Sequence, residues 1–226
     1  MEKLQYDLCI EVLRRLDKAG VLHNIILIGS WCIPLYKQYF FKGQNLPPIK
    51  TRDMDLLIPT PGKIRDHVDI PELLKDLGFV IGFSGSRGYI RLEHPDLIIE
   101  FLVPEKGRGL DRPYSLPRLG LNAQTLRFLD LLTQNTIHCK VEGIRVTLPH
   151  PANFSFQKLI ISHRRTKKEK IAKDREIALA ILKALIDNGD QHVIKDVFGS
   201  ISQKWQKKII RELEEAEENN LTELIQ

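Results

Sequence analysis

The residues in this sequence best suited to chemistry are two aspartates, Asp53 and Asp55, in residues 52–56, Arg-Asp-Met-Asp-Leu. In an extended strand alternate side chains share a face, so both carboxylates would point one way and Met54 and Leu56 the other. Holding two like charges side by side is costly unless a cation pairs with them. A divalent metal would be such a cation, and phosphate chemistry would follow from it. The alternative interpretation is two exposed acids on the solvent face of an edge strand.

A third carboxylate, Glu100, stands alone in the apolar residues 97–103, Leu-Ile-Ile-Glu-Phe-Leu-Val. A lone acid there would be buried and unpaired unless it faced a cleft or a cation. If its strand shares a sheet face with the aspartate strand, the three acids form a cluster that suits two Mg²⁺ ions about 4 Å apart. Mg²⁺ prefers oxygen ligands and keeps positions for water and phosphates. We therefore expect Asp53, Asp55 and Glu100 to be metal ligands and catalytic residues, with Mn²⁺ able to replace Mg²⁺.

Upstream, Gly29 and Ser30 follow residues 24–28, which are predicted to form a buried strand, and precede a helix predicted from Trp31 to about Phe40. Glycine allows close backbone approach, and the first N–H groups of a helix bind anions. The Ser30 hydroxyl can donate to a phosphate oxygen. We expect Gly29 and Ser30 to bind nucleotide phosphates; the alternative is an ordinary turn and helix cap.

Positive charge is concentrated in one segment. Residues 158–175 contain eight Lys or Arg and two acids, a local charge of +6, while the whole chain carries +5. This concentration favours an anionic ligand at one place over a protein coated in positive charge. Lys158 and Lys173 are the candidates for nucleotide-phosphate contacts, and the alternative is a solvated helix surface.

Composition and length are typical of a globular protein, with 226 residues that are 42% hydrophobic and 28% charged. The charged N-terminus argues against a signal peptide, and no apolar run has the length of a membrane span. Three scattered cysteines, Cys9, Cys32 and Cys139, fit free thiols in a reducing compartment better than disulfides or a zinc site. We expect a cytoplasmic protein without membrane association.

The order of predicted elements indicates an N-terminal α/β unit followed by a C-terminal helical unit. Strands are predicted at 79–83, 89–93 and 97–103, a loop at 104–120, a helix at 123–132, a hairpin at 137–148, and helices at 152–162, 168–187 and 202–218. Pro149-His150-Pro151 is the clearest composition break. We therefore predict domains at 1–150 and 151–226.

The order Gly29-Ser30, Asp53-x-Asp55 and then an isolated acid on a later apolar strand resembles the DNA polymerase β-like nucleotidyltransferase superfamily, in particular a bacterial nucleotidyltransferase-like branch. The resemblance covers residues 25–103 by motif. It implies an α+β fold, with a mixed β-sheet flanked by helices ahead of the C-terminal helical unit. It also implies Mg²⁺ and transfer of a nucleoside monophosphate from an NTP to a hydroxyl. The acceptor stays open among a small molecule, an RNA end and a protein hydroxyl. The interval between Gly29 and Asp53 is longer than in minimal members, and its insert, residues 42–50, would alter access to the site.

A second hypothesis is a catalytically inactive nucleotide- or nucleic-acid-binding module of the same fold, paired with a toxin-like partner protein. Retention of all three acids argues against it, because an inactive domain has little reason to keep a buried glutamate. A DNA-binding regulator built on the helical tail is weaker, since no clear helix-turn-helix spacing is present. The sequence leaves the oligomeric state open.

Overall fold

The fold is given by a computed structural model, which describes residues 3–44, 46–48, 51–65, 67–105, 112–162 and 165–226. Part of the predicted insert, residues 45, 49 and 50, lies outside the described residues. The chain divides into two compact units, Met1–Leu35 with Pro48–Pro149, and Tyr36–Pro47 with His150–Gln226. The second unit therefore combines the segment predicted as a C-terminal domain with residues 36–47.

The first unit is built on a mixed β-sheet. Its strands are β1 (Ile26–Ile28), β2 (Asp53–Leu57), β3 (Val80–Ser84), β4 (Tyr89–Glu93), β5 (Ile98–Pro104), β6 (Tyr114–Leu116) and β7 (Leu121–Leu126), and a separate hairpin is formed by β8 (Ile137–Val141) and β9 (Ile144–Leu148). The order across the sheet is β1-β2-β5-β4-β3, with β7 pairing with both β5 and β6. β5 runs parallel to β2 and β7, whereas the other pairs are antiparallel.

Helices flank this sheet and make up most of the second unit. They are α1 (Lys3–Lys18), α2 (Cys32–Tyr39), α3 (Ile70–Leu74), α4 (Asp130–Thr133), α5 (Pro151–Ser162), α6 (Lys168–Asp187), α7 (Gln191–Ser200), α8 (Gln203–Glu215) and α9 (Asn219–Ile225). The amphipathic α1 packs against α3 and β9 in the first unit. The predicted fold class, a mixed sheet with helices and a C-terminal helical part, is confirmed.

The helix predicted at residues 123–132 is wrong. Residues 121–126 form β7, and only Asp130–Thr133 are helical. β7 pairs in parallel with the end of β5 and antiparallel with β6, a short strand inside the predicted loop 104–120. Two ladders of non-local backbone hydrogen bonds outweigh the weak local helix propensity of these residues. Residues 106–111 of that loop lie outside the described part.

A buried ion pair joins two helices of the second unit. Lys158 on α5 donates from Nζ to Oδ1 of Asp174 on α6 at 2.7 Å, and each side chain is 8% exposed. Arg165, between the two helices, donates to the other carboxylate oxygen of Asp174 at 2.9 Å. Nearly every residue of α5 is buried, so the pair lies in the interior of a helical core.

Two further predictions concern compartment and membrane. In the described structure Cys9, Cys32 and Cys139 are buried and form no disulfide. Among the described residues, no helix combines the length and apolar character needed to cross a bilayer. The cytoplasmic location stays a prediction.

Replacing Asp174 by leucine should destabilise the second unit by about 3 kcal/mol, because the buried ammonium of Lys158 loses its counter-charge. Lys158→Met should cost less, since Arg165 still pairs with Asp174. The double variant should recover most of the loss. Urea unfolding followed by far-UV circular dichroism measures all three. The matched control is Lys173→Met at the neighbouring exposed position, expected to change stability by no more than about 0.5 kcal/mol. Equal losses in the control and in Asp174→Leu would contradict the prediction.

Candidate functional site

The three predicted acids lie on adjacent strands of the sheet. In the parallel ladder of β2 and β5, Asp55 is the Cα partner of Glu100, and Asp53 is the partner of Ile98. Partners in a ladder share a face, and so do residues two apart along a strand. Asp53, Asp55 and Glu100 therefore occupy one face, which confirms the predicted adjacency of their strands. Asp53 is exposed, whereas Asp55 and Glu100 are half-buried.

Apolar side chains on the opposite face of the same two strands hold the acids in position. Met54, Leu56, Ile99 and Phe101 alternate with the acids along β2 and β5, and each is at most 1% exposed. A shift of one residue in either strand would turn these side chains out and the carboxylates in. The apolar face therefore fixes the register that pairs Asp55 with Glu100.

Gly29 lies directly against the carboxylate of Asp55. β1 pairs antiparallel with β2, with Ile28 opposite Asp55, so the chain leaves the sheet beside this aspartate. Gly29 has a φ of +71°, and a Cβ added to it would overlap Oδ2 of Asp55 and lie 3.1 Å from its Cγ. Both the left-handed backbone and the close approach require glycine at this position.

The turn after β1 carries the predicted phosphate-binding residues. Gly29–Trp31 forms one 3₁₀ turn that leads into α2. Ser30 is half-buried, whereas Trp31 is 2% exposed and belongs to the core. The backbone N–H groups at the start of such a turn have no partner within the helix and can bind an anion. The nucleotide-binding roles of Gly29 and Ser30 stay predictions.

The electrostatics of this face centre on Glu100. Burial raises the pKa of Glu100 above its ordinary range, and the negative charge of Asp53 raises it further. The guanidinium of Arg91 acts in the opposite direction and lowers this pKa. The folded protein thus holds a carboxyl whose ionisation is opposed by its surroundings.

Arg91 is a residue of this face that the sequence interpretation missed. It is the Cα partner of Glu100 across the antiparallel pair of β4 and β5, and its Nε donates to Oε1 of Glu93 at 2.6 Å. The signal was present, since Arg91 and Glu93 are alternate polar residues in a predicted strand. What the sequence lacked was the identity of the neighbouring strand.

Lys158 and Lys173, the predicted phosphate contacts, lie in the second unit. The ammonium of Lys158 is held in the buried pair with Asp174, while Lys173 is exposed on α6. A contact between Lys158 and phosphate would require it to leave Asp174. Nucleotide binding by either lysine stays a prediction.

The donor set of the acidic face fits a hard divalent cation. Asp53, Asp55 and Glu100 offer carboxylate oxygens, and the effect of Asp53 on the pKa of Glu100 marks a concentration of negative charge that a cation would relieve. In the part of the chain that the structure describes, however, no three His, Cys, Asp or Glu side chains converge closely enough to hold one metal ion. The metal-ligand roles of the three acids therefore stay predictions.

Comparison with known families decides what this arrangement belongs to. The sequence model of a family described as nucleotidyltransferase matches residues 7–202. The chain belongs to this nucleotidyltransferase family. The match spans both the acidic face and most of the helical unit, so the resemblance seen in the Gly-Ser and Asp-x-Asp motifs is confirmed.

Solved structures with a similar fold are known, although no curated protein matches the chain. An antigenic nucleotidyltransferase-like protein from Paracoccidioides brasiliensis has a TM-score of 0.51 at 14% identity, covering 96% of this chain and 91% of that one. A solution structure of the antibiotic-resistance factor ANT(2″)-Ia has a TM-score of 0.47 at 12% identity, with coverage of 85% and 95%. A crystal structure of ANT(2″)-Ia with adenylyl-2″-tobramycin has a TM-score of 0.45 at 12% identity, with coverage of 86% and 98%. At these identities the likeness concerns the fold alone.

Replacing Gly29 by alanine should lower the free energy of unfolding more than the same substitution at another glycine in the left-handed region. Gly20 provides the matched control, because its φ is +74° and no heavy atom lies within 4 Å of an added Cβ. We expect Gly20→Ala to cost about 1–2 kcal/mol from backbone strain, and Gly29→Ala to cost about 2 kcal/mol more from the clash with Asp55. Urea unfolding measures both. Combining Gly29→Ala with Asp55→Ala should relieve most of the additional cost. Equal effects at the two glycines would contradict the close approach.

Replacing Glu100 by glutamine should stabilise the protein at neutral pH. The pKa of Glu100 is raised in the folded state, so folding favours its protonated form. The stability that this protonated form contributes is fully present below the unfolded-state pKa and is lost as the pH rises through the folded-state pKa. In EDTA, we expect Glu100→Gln to have a Tm about 2–4 °C above the parent at about pH 7 and a similar Tm near about pH 4. The control, Glu93→Gln, loses the ion pair with Arg91 and should not gain stability. A lower Tm for Glu100→Gln at neutral pH would refute the electrostatic argument.

Proposed function

We propose that this chain is a Mg²⁺-dependent nucleotidyltransferase that moves a nucleoside monophosphate from an NTP to a hydroxyl acceptor. The observation that carries the proposal is the alignment of Gly29, Asp55 and Glu100. A turn glycine lies against one carboxylate, which in turn is paired in register with another on the next strand. Membership of the nucleotidyltransferase family supports the class of reaction.

In the proposed complex, the triphosphate lies along the Gly29–Trp31 turn. Backbone N–H groups of this turn and the Ser30 hydroxyl donate to phosphate oxygens. The absence of a side chain at Gly29 lets the turn lie directly against the carboxylate of Asp55, so the phosphates on the turn would be next to a proposed metal ligand. The role of this turn is to hold the phosphates in line with the attacking hydroxyl.

The acidic face is proposed to hold the cation. Asp53, Asp55 and Glu100 would bind Mg²⁺ or Mn²⁺, and the metal would supply positive charge that neutralises the oxygens of the transferring phosphoryl group. Negative charge at the site otherwise repels a triphosphate, so the acids alone would oppose substrate binding. NTP binding should therefore depend on the divalent cation.

Glu100 is also the proposed acceptor of the proton from the attacking hydroxyl. The pKa of Glu100 is raised, and its carboxylate is therefore a stronger base than one with an ordinary pKa. Arg91, its register partner on β4, limits this rise. The two residues together would set the pH range of activity.

Nucleotidyl transfer is tested with α-labelled NTPs, Mg²⁺ and a panel of hydroxyl acceptors that covers small alcohols, RNA and proteins, with pyrophosphate release measured in parallel. We expect transfer that EDTA abolishes and Mg²⁺ or Mn²⁺ restores. Asp55→Asn should reduce the rate by about 10²-fold or more, without loss of the folded state.

The matched control is Asp130→Asn, the same substitution at an exposed residue of α4, which should keep the parent rate. Calorimetry distinguishes the alternative hypothesis. NTP binding that is tight without Mg²⁺, together with no transfer to any acceptor, would contradict the proposal and favour an inactive binding module. Transfer that persists unchanged in Asp55→Asn would contradict the assignment of the site.

A further inference from the structure

A cavity of about 830 Å³ lies in the first unit at the carboxyl ends of three neighbouring strands. Val103 and Pro104 at the end of β5, Thr125 near the end of β7, and Thr60 after β2 contribute to its lining. Because β5 runs parallel to both β2 and β7, these strand ends meet at one edge of the sheet. The crevice beyond the carboxyl ends of parallel strands is a common position for ligands in mixed folds.

This cavity is separate from the acidic face. Val103 lies three residues beyond Glu100 on β5, so its side chain points to the other face of the sheet, at a distance of about 10 Å along the strand. Thr125 is the Cα partner of Val103 and shares that face. A ligand in the cavity therefore does not need the carboxylates of the proposed transfer site.

The described lining of the cavity carries more positive than negative charge. Lys63 and Arg112 line it, and neither has a carboxylate partner among the described residues. The lining acid, Glu105, is 16% exposed and accepts from Nε of Arg127 at 2.9 Å, so its charge is already matched. The two unmatched cations make an anionic group on the ligand favourable.

The walls of the cavity are amphipathic. Pro61, Pro104 and Pro113 contribute to its lining, and Tyr114 is 41% exposed. Hydroxyls of Thr60, Ser115 and Thr125 provide hydrogen-bonding groups. Proline and tyrosine surfaces suit the apolar face of a ring, and the hydroxyls suit its polar edges.

We propose that this cavity is a second ligand site that binds a small phosphorylated ring compound of the sugar phosphate class. The phosphate contacts Lys63 and Arg112, the ring lies against Tyr114 and the prolines, and the ring hydroxyls bond to the threonine and serine hydroxyls. The site stands on geometry and charge remote from Asp55, so it does not depend on the proposed transfer activity.

Titration of the full chain with ribose 5-phosphate tests the proposal, using calorimetry and amide chemical shifts. We expect saturable binding with shift changes at Ser115 and Thr125, and weaker binding of ribose alone and of inorganic phosphate alone. Lys63→Gln combined with Arg112→Gln should weaken binding by about tenfold or more. Thr125→Val, which removes only a hydroxyl, should weaken it by a smaller factor.

Two controls separate this site from the transfer site. Lys140→Gln, which replaces an exposed lysine on β8, should leave the binding of ribose 5-phosphate unchanged. Asp55→Asn should also bind ribose 5-phosphate as the parent does, even though its transfer activity is lost. Absence of saturable binding up to about 10 mM, or equal affinity in the Lys63 and Arg112 double variant, would overturn the proposal.

Discussion

The parallel pairing of β2 with β5 is the interaction on which the rest of this site depends. It sets Asp55 beside Glu100 on one face and buries Met54 and Phe101 on the other. The acids and the apolar side chains cannot change face independently, because a strand that slips by one residue moves every side chain to the opposite side. Burial of the apolar face therefore supplies the free energy that keeps two like charges together.

Keeping Glu100 on this face of the sheet has an electrostatic cost. Burial and the charge of Asp53 both oppose the ionisation of Glu100, and Arg91 offsets only part of that opposition. A core selected for stability alone would replace Glu100 with a neutral residue. Keeping an acid there agrees with the proposed role of Glu100 as a metal ligand and base.

Charged side chains are arranged differently in the two units. On the acidic face, Asp53, Asp55 and Glu100 are acids held on adjacent strands with Arg91 beside them. In the second unit, Lys158 and Asp174 neutralise each other inside a helical core, and Arg165 bonds to the remaining oxygen of Asp174. The first arrangement brings like charges together on one face, whereas the second pairs opposite charges inside the core. The concentration of Lys and Arg between residues 158 and 175 thus includes a residue whose charge is matched inside the helical core.

The sequence was sufficient wherever the decisive pattern was local. The two-residue spacing of Asp53 and Asp55, the apolar surroundings of Glu100 and the Gly29-Ser30 turn predicted the acidic face and the family. The sequence-based prediction of a helix was wrong at residues 121–126, where hydrogen bonds to β5 and β6 override local helix propensity. The sequence interpretation also missed Arg91, since a strand pattern shows which residues share a face but not which strand lies alongside.

The sequence by itself therefore determined the strand period, the family and the shared face of Asp53 and Asp55, because these follow from spacing and residue type. Only the tertiary structure decided the partners: Asp55 with Glu100, Glu100 with Arg91, Gly29 against Asp55, and Lys158 with Asp174. Each of these contacts joins residues far apart or in different elements. Their pairing is fixed by the packing of whole apolar faces, which no single segment of the chain contains.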